Sequence, residues 1–172
     1  MKKHLLFWLF IFGILGTGTA QTPEQKLNQA GFQLTTPPAP MANYVRTVRT
    51  GNLVFLSGHG PTRPDGTLMK GKVGADVTIA QAQKAARWTA LNLLSSLKAE
   101  IGDLAKVKRI VKVLGMVNAT PEFTEHPQVI NGFSDLMVQV FGDKGRHARS
   151  AIGVGSLPSG MVVEIEMIVE VE

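Results

Sequence analysis

The chain has 172 residues, of which 44% are apolar, with a formal charge of +5 and no cysteine. That is one domain's worth of sequence with enough apolar material for a core, and it excludes disulfides, thiolate metal sites and a cysteine nucleophile. The basic residues are dispersed, and the densest cluster, Lys106 to Lys112, alternates with apolar residues as the solvent face of a strand does, so the charge does not mark a nucleic-acid groove.

Residues 1–20 have the pattern of a signal peptide. Lys2 and Lys3 form a basic start, Leu5 to Leu15 is an apolar run, and Gly18 and Ala20 fit a peptidase site before Gln21. The run is short for a membrane span, and no cysteine follows it to carry a lipid. The expectation is export, to a bacterial periplasm, with no stable membrane association after cleavage; an uncleaved N-terminal anchor is the alternative.

Residues 21–40 read as a short helix and a proline-rich linker ahead of a domain at 41–172. Thr22 can cap the helix, Pro23 suits its first position and Gln25 completes a capping box. Pro37, Pro38 and Pro40 extend the linker. Tyr44 to Arg49 and Leu53 to Leu56 then form a hairpin across Gly51-Asn52. Asp65-Gly66 turns into a short strand at Thr67 to Met69. The spacing of Ile79, Ala82, Ala86, Leu93, Leu97 and Ile101 predicts a long helix, opened by a Thr78–Gln81 capping box and ended by Gly102.

A strand follows from Val107 to Val117, then a helix near Pro127 to Phe141 that has Ile130, Phe133, Ser134, Met137 and Val140 on one side. Two strands end the chain, Ala148 to Ser156 and Met161 to Val171. The last alternates Val163, Ile165, Met167, Val169 and Val171 with a mostly acidic face. This order predicts an α+β two-layer sandwich, with two helices on one face of a mixed sheet and self-association covering the other. Arg149 opens an apolar strand, and Glu164 takes an inward position on the next. A cation and a carboxylate on neighbouring strands near a core must be paired or bind something.

Tyr44-Val45, Val54 through Pro61 with Leu56-Ser57-Gly58, Val111-Lys112-Val113, Val129-Ile130-Asn131, Ala148-Arg149-Ser150-Ala151 and Leu157-Pro158 with Val163 to Glu166 together resemble the Rid (reactive intermediate deaminase, YjgF) family. The resemblance covers roughly residues 35–172. It implies a chorismate-mutase-like fold, with sheets packed into the core of a homotrimer and ligand sites in clefts between subunits. It also implies hydrolysis of 2-imino acids, formed from 2-enamines, to 2-keto acids and ammonia without metal or organic cofactor. By the same resemblance Arg149 holds the substrate carboxylate, Glu164 positions the attacking water, and Tyr44, Ser57 and Asn131 line the cleft. Residue 151, often cysteine in active members, is alanine here, and its backbone carbonyl can still help hold water. His59 stands where glutamine is frequent.

Two other functions compete with this one. A non-catalytic binder of small carboxylates or keto acids would depend on Arg149 for binding and show no turnover. An endoribonuclease would need stacking aromatics or a coherent basic face, and aromatic residues are few here. His59 and His147 are read as structural, His126 as a helix start, and the histidines have no metal-ligand spacing.

Overall fold

The computed structural model describes residues 21–39 and 42–172. The expected signal peptide lies outside the described residues. Among those described, no helix is long and apolar enough to cross a membrane.

Eight principal elements follow in chain order: α1 (Pro23–Gln29), β1 (Thr47–Thr50), β2 (Leu53–His59), α2 (Ile79–Ile101), β3 (Val107–Asn118), α3 (His126–Phe141), β4 (Ala148–Val154) and β5 (Val163–Val171). The strands form one sheet in the order β1-β2-β5-β3-β4. All pairings are antiparallel except β3 with β4, which are joined by the α3 crossover and run parallel. Helices α2 and α3 cover one face, giving the predicted two-layer α+β sandwich.

Both predicted capping boxes are present. The Thr22 hydroxyl accepts from Gln25 N–H and the Thr78 hydroxyl from Gln81 N–H, while each glutamine side chain accepts from the backbone of its threonine. α1 docks onto the helical layer: Leu27 is buried, and the Glu24 carboxylate accepts from Leu104 N–H at 3.1 Å and pairs with Lys98 at 3.2 Å.

The core lies between the sheet and the helices. β5 turns Val163, Ile165, Met167, Val169 and Val171 inward, β3 contributes Ile110, Val113 and Val117, and β2 contributes Val54 and Leu56. The helices answer with Leu93, Leu94, Leu97, Ile130, Phe133 and Met137. α2 and α3 approach closely at Gly132, where any side-chain carbon would strike the Gln83 carbonyl. That group is fixed in the helix, so only glycine fits.

His59 is a buried polar member of this core. Its Nδ1 lies 2.7 Å from the Ser57 carbonyl oxygen and its Nε2 lies 2.8 Å from Ser96 Oγ on α2. A carbonyl can only accept, so Nδ1 carries the proton and Nε2 accepts from the serine. Burial, the largest effect, holds its pKa below the usual histidine range, and the Arg46 charge acts in the same direction.

Two expectations are corrected. Residues 67–69 form no strand; isolated bridges join Thr62 to Leu68 and Lys70 to Met161, because the left-handed Gly66 turn leaves too short a run to build a ladder. Arg149 and Glu164 are not on neighbouring strands. β3 lies between β4 and β5, and Glu164 points away from the helices instead of inward.

Candidate functional site

β4 is an edge strand, and its register fixes where each group points. Arg149 pairs with Val113 and Ala151 with Gly115, so both side chains lie on the helix-covered face. Gly115 leaves room there for Ile130, which allows α3 to lie low over the sheet. The Val154 carbonyl accepts from Ala119 N–H, on the β3 side. Backbone alternation then turns the peptide groups of Arg149, Ala151 and Gly153 toward the open edge. The Ala151 carbonyl thus faces outward, about 7 Å along the strand from residue 149.

α3 positions the guanidinium. Asn131 and Ser134 are three residues apart and share one side of the helix. Arg149 Nη1 donates to Asn131 Oδ1 at 2.9 Å and to Ser134 Oγ at 3.0 Å. Both Nη1 hydrogens are therefore used. Nε and Nη2 have no partner among the described residues, and they form the parallel two-donor edge that grips a carboxylate. No carboxylate among the described residues forms an ion pair with Arg149; the ion pairs are Lys98–Glu24 and Arg146–Asp143.

Behind Ser134 lies His147. Its Nδ1 is 2.7 Å from the Gly145 carbonyl oxygen and its Nε2 is 3.1 Å from Ser134 Oγ. Burial is the main cause holding its pKa below the usual value, and the Arg149 charge adds to it.

The second group of site residues occupies the opposite face of the sheet. Glu164 pairs with Met116, and its carboxylate lies directly over Gly58, where a side-chain carbon would collide with it. Burial, and secondarily the neighbouring Glu166 charge, push its pKa above the usual carboxylate value. Ser57 sits at the β2–β5 register shift between Leu56 and His59. Its Oγ is the buried side-chain polar atom that has no hydrogen-bond partner among the described residues. Tyr44 lies just ahead of β1 and is 49% exposed. Val48, Phe55 and Ile152 are also large exposed apolar residues on these strands.

The sequence from Glu24 to Val171 matches the family described as "YjgF/chorismate_mutase-like, putative endoribonuclease", over residues 24–171. The chain is 45% identical over 145 residues to protein TCP17 of Trypanosoma cruzi, covering 84% of this chain and 91% of that protein. It is 33% identical over 136 residues to the 2-iminobutanoate/2-iminopropanoate deaminase of Escherichia coli K12, covering 76% of this chain and 89% of the enzyme. Among solved structures, protein Atu1372 of Agrobacterium tumefaciens superposes with a TM-score of 0.82 at 44% identity, covering 87% of this chain and 92% of that one.

The chain belongs to the YjgF/Rid family.

In this Rid protein the expected site residues divide into two sets. Arg149 is hydrogen-bonded to Asn131 of α3, and the Ala151 carbonyl faces outward from the same strand edge. Glu164 and Ser57 stand together on the uncovered sheet face, with Tyr44 at the end of the sheet nearest β1. A single protomer does not unite the sets. Among the described residues no group of three His, Asp or Glu side chains is placed to hold a metal ion.

Sequence reasoning missed Ser134, Gly58 and the part played by His147. Ser134 falls among the apolar positions of α3, and only its three-residue spacing from Asn131 hinted that both could meet one partner. Gly58 stood inside a quoted motif, but its purpose depends on the strand across from it.

Proposed function

We propose that the protein hydrolyses reactive 2-imino acids, formed from 2-enamines, to 2-keto acids and ammonia, at a site completed by a second copy of the chain in a homotrimer. One observation carries the reading. Arg149 is held by two neutral acceptors, with its Nε–Nη2 edge unpartnered among the described residues. A guanidinium held this way is arranged for an organic acid and not for a structural ion pair.

Each residue has a definite task in this reading. The Arg149 edge takes the substrate carboxylate and fixes the adjacent C2 carbon. The Ala151 carbonyl and the neighbouring protomer's Glu164 carboxylate hold a water against C2. The water oxygen adds to C2 while Glu164 accepts its proton, a task that a carboxylate with a raised pKa performs better than an ordinary one. The imine nitrogen, protonated in turn, leaves as ammonia as the C2–O bond becomes a carbonyl. One water is consumed, and no electron changes hands. Ser57 and Tyr44 line the cleft from the Glu164 side. The similarity to the Escherichia coli imine deaminase supports the substrate class. The leader-like pattern of residues 1–20 supports an activity outside the cytoplasm, in a periplasm.

The test generates 2-iminobutanoate and 2-iminopropanoate with an amino-acid oxidase and follows their decay with and without the protein. The decay should accelerate, and Arg149→Ala should remove the acceleration. Unchanged decay at saturating protein would reject hydrolysis. Pyruvate binding that persists without turnover would leave a carboxylate-binding protein instead.

A further inference from the structure

A chain of three hydrogen bonds runs from the backbone to the candidate anchor. The Gly145 carbonyl can only accept, so His147 Nδ1 must carry a proton. In the neutral ring Nε2 is then a bare acceptor, and the Ser134 hydroxyl donates to it. That orientation turns the Ser134 oxygen lone pairs toward Arg149 Nη1, which donates to Ser134 and to Asn131. Every donor along the chain has an acceptor, and the Gly145 carbonyl at its far end sets the direction of the His147–Ser134 bond.

We propose that Ser134 and His147 are positioning residues for Arg149, and that they hold its free Nε–Nη2 edge in the ligand-binding orientation only while His147 is neutral. This rests on the reading of Arg149 as a carboxylate anchor and adds to it the residues that aim the anchor.

Protonation reverses the polarity. Nε2 becomes a donor, the Ser134 oxygen must accept from the imidazolium, and its own hydrogen must turn elsewhere. Two cations, imidazolium and guanidinium, are then separated by one hydroxyl oxygen. Arg149 is the mobile partner, because His147 is fixed by Gly145 and packed edge-on against the Phe133 ring. The other faces of His147 bring no compensating acid. Arg149 is the charged group acting on it, α3 presents Phe133 and Ser134, and on the preceding turn Asp143 is paired with Arg146 in solvent. The imidazolium also gives a bound carboxylate no new donor, since both its N–H groups are already taken. Displacing Arg149 loses two charge-assisted hydrogen bonds, so affinity for an organic acid falls on acidification. The lowered pKa places this change on the acid side of the ordinary histidine range.

The experiment has two readouts on the full chain. The first is the ¹⁵N signal of Arg149 Nε in the ligand-free protein, followed with the His147 ring signals between about pH 5 and pH 8. The second is pyruvate affinity over the same range, for wild type, His147→Gln and Ser134→Ala. The glutamine side chain of the first variant places an amide oxygen near the Nε2 position and does not titrate. That variant should keep neutral-pH affinity and remove the acid-side loss. Ser134→Ala should weaken binding about tenfold at neutral pH. An Arg149 signal that ignores the His147 titration overturns the proposal, whether or not pyruvate binds. So does an affinity that rises on acidification, or one whose pH dependence His147→Gln leaves unchanged. If the Arg149 signal follows His147 but pyruvate binds at no pH, the positioning chain stands and the anchor reading fails.

Discussion

Arg149 and Glu164 lie on opposite faces of one sheet, with β3 between their strands. Side chains on opposite faces cannot meet in a shared pocket of the same protomer. If both act on one substrate, the cleft must join the β4 edge of one copy to the uncovered face of another. Phe55 and Ile152 are exposed apolar residues on that second face.

A composite site predicts complementation. Arg149→Ala and Glu164→Ala proteins should each be inactive alone. After mixed refolding at equal amounts, some interfaces pair the intact arginine of one variant with the intact glutamate of the other. Roughly a quarter of wild-type activity should return, because each half of a heterologous interface is intact half of the time. Failure to regain any activity, with mixed oligomers demonstrated by mass spectrometry, would place both residues in separate functions.

Arg149→Lys should not rescue the alanine variant. An ammonium that keeps Asn131 and Ser134 has one hydrogen left, whereas the guanidinium keeps two in a parallel edge. Losing one charge-assisted bond costs about 1.5–3 kcal/mol, or about 10- to 100-fold in keto-acid affinity. Calorimetric titration with pyruvate checks this; an affinity within about threefold of wild type would mean that only charge matters at this position.

How far the residues predict this arrangement differs between fold and site. α2 was readable because a long apolar stripe and a Thr78–Gln81 box agree, and β5 because its alternation is nearly perfect. The Rid motifs in turn pointed to Arg149, Asn131, Ser57 and Glu164 as candidates. The face each one occupies could not be read, because it depends on which strand pairs with β4. Sequence neighbours usually pair, which suggested β4 beside β5. The chain instead crosses from β4 past β3 through the Leu157–Gly160 connection, and this separates the arginine from the glutamate. Ser134 was hidden for a related reason: helical spacing shows that it shares the buried side of α3 but not which residue of a distant strand it meets.

Gly58→Ala offers a test of Glu164 that leaves its charge intact. A methyl group at residue 58 would occupy the position of the Glu164 carboxylate, whose flexible end can swing away. The protein should therefore fold with little loss of stability, while the carboxylate moves off its water position. Turnover should fall about tenfold or more, as expected for displaced acid–base groups, with pyruvate affinity nearly unchanged. Equal loss of affinity and turnover would show that residue 58 shapes the cleft generally.

Glu164→Gln separates stability from function through pH. Burial, aided by Glu166, raises the Glu164 pKa above its unfolded value of 4.5. The folded state then binds a proton more tightly than the unfolded state does. This contribution to stability is fully present below pH 4.5 and is lost as pH rises through the folded pKa. At neutral pH the wild type therefore bears the cost of a partly buried charge that glutamine does not carry. The variant should melt at a higher temperature than wild type at about pH 7, and the gap should close in acid below the unfolded pKa. Scanning calorimetry at the two pH values measures both. The same substitution should slow imine hydrolysis and spare pyruvate binding, since it removes the proton acceptor and leaves Arg149 untouched. A variant less stable than wild type at neutral pH would mean that a donor from a neighbouring protomer, absent from the single chain, already satisfies this carboxylate.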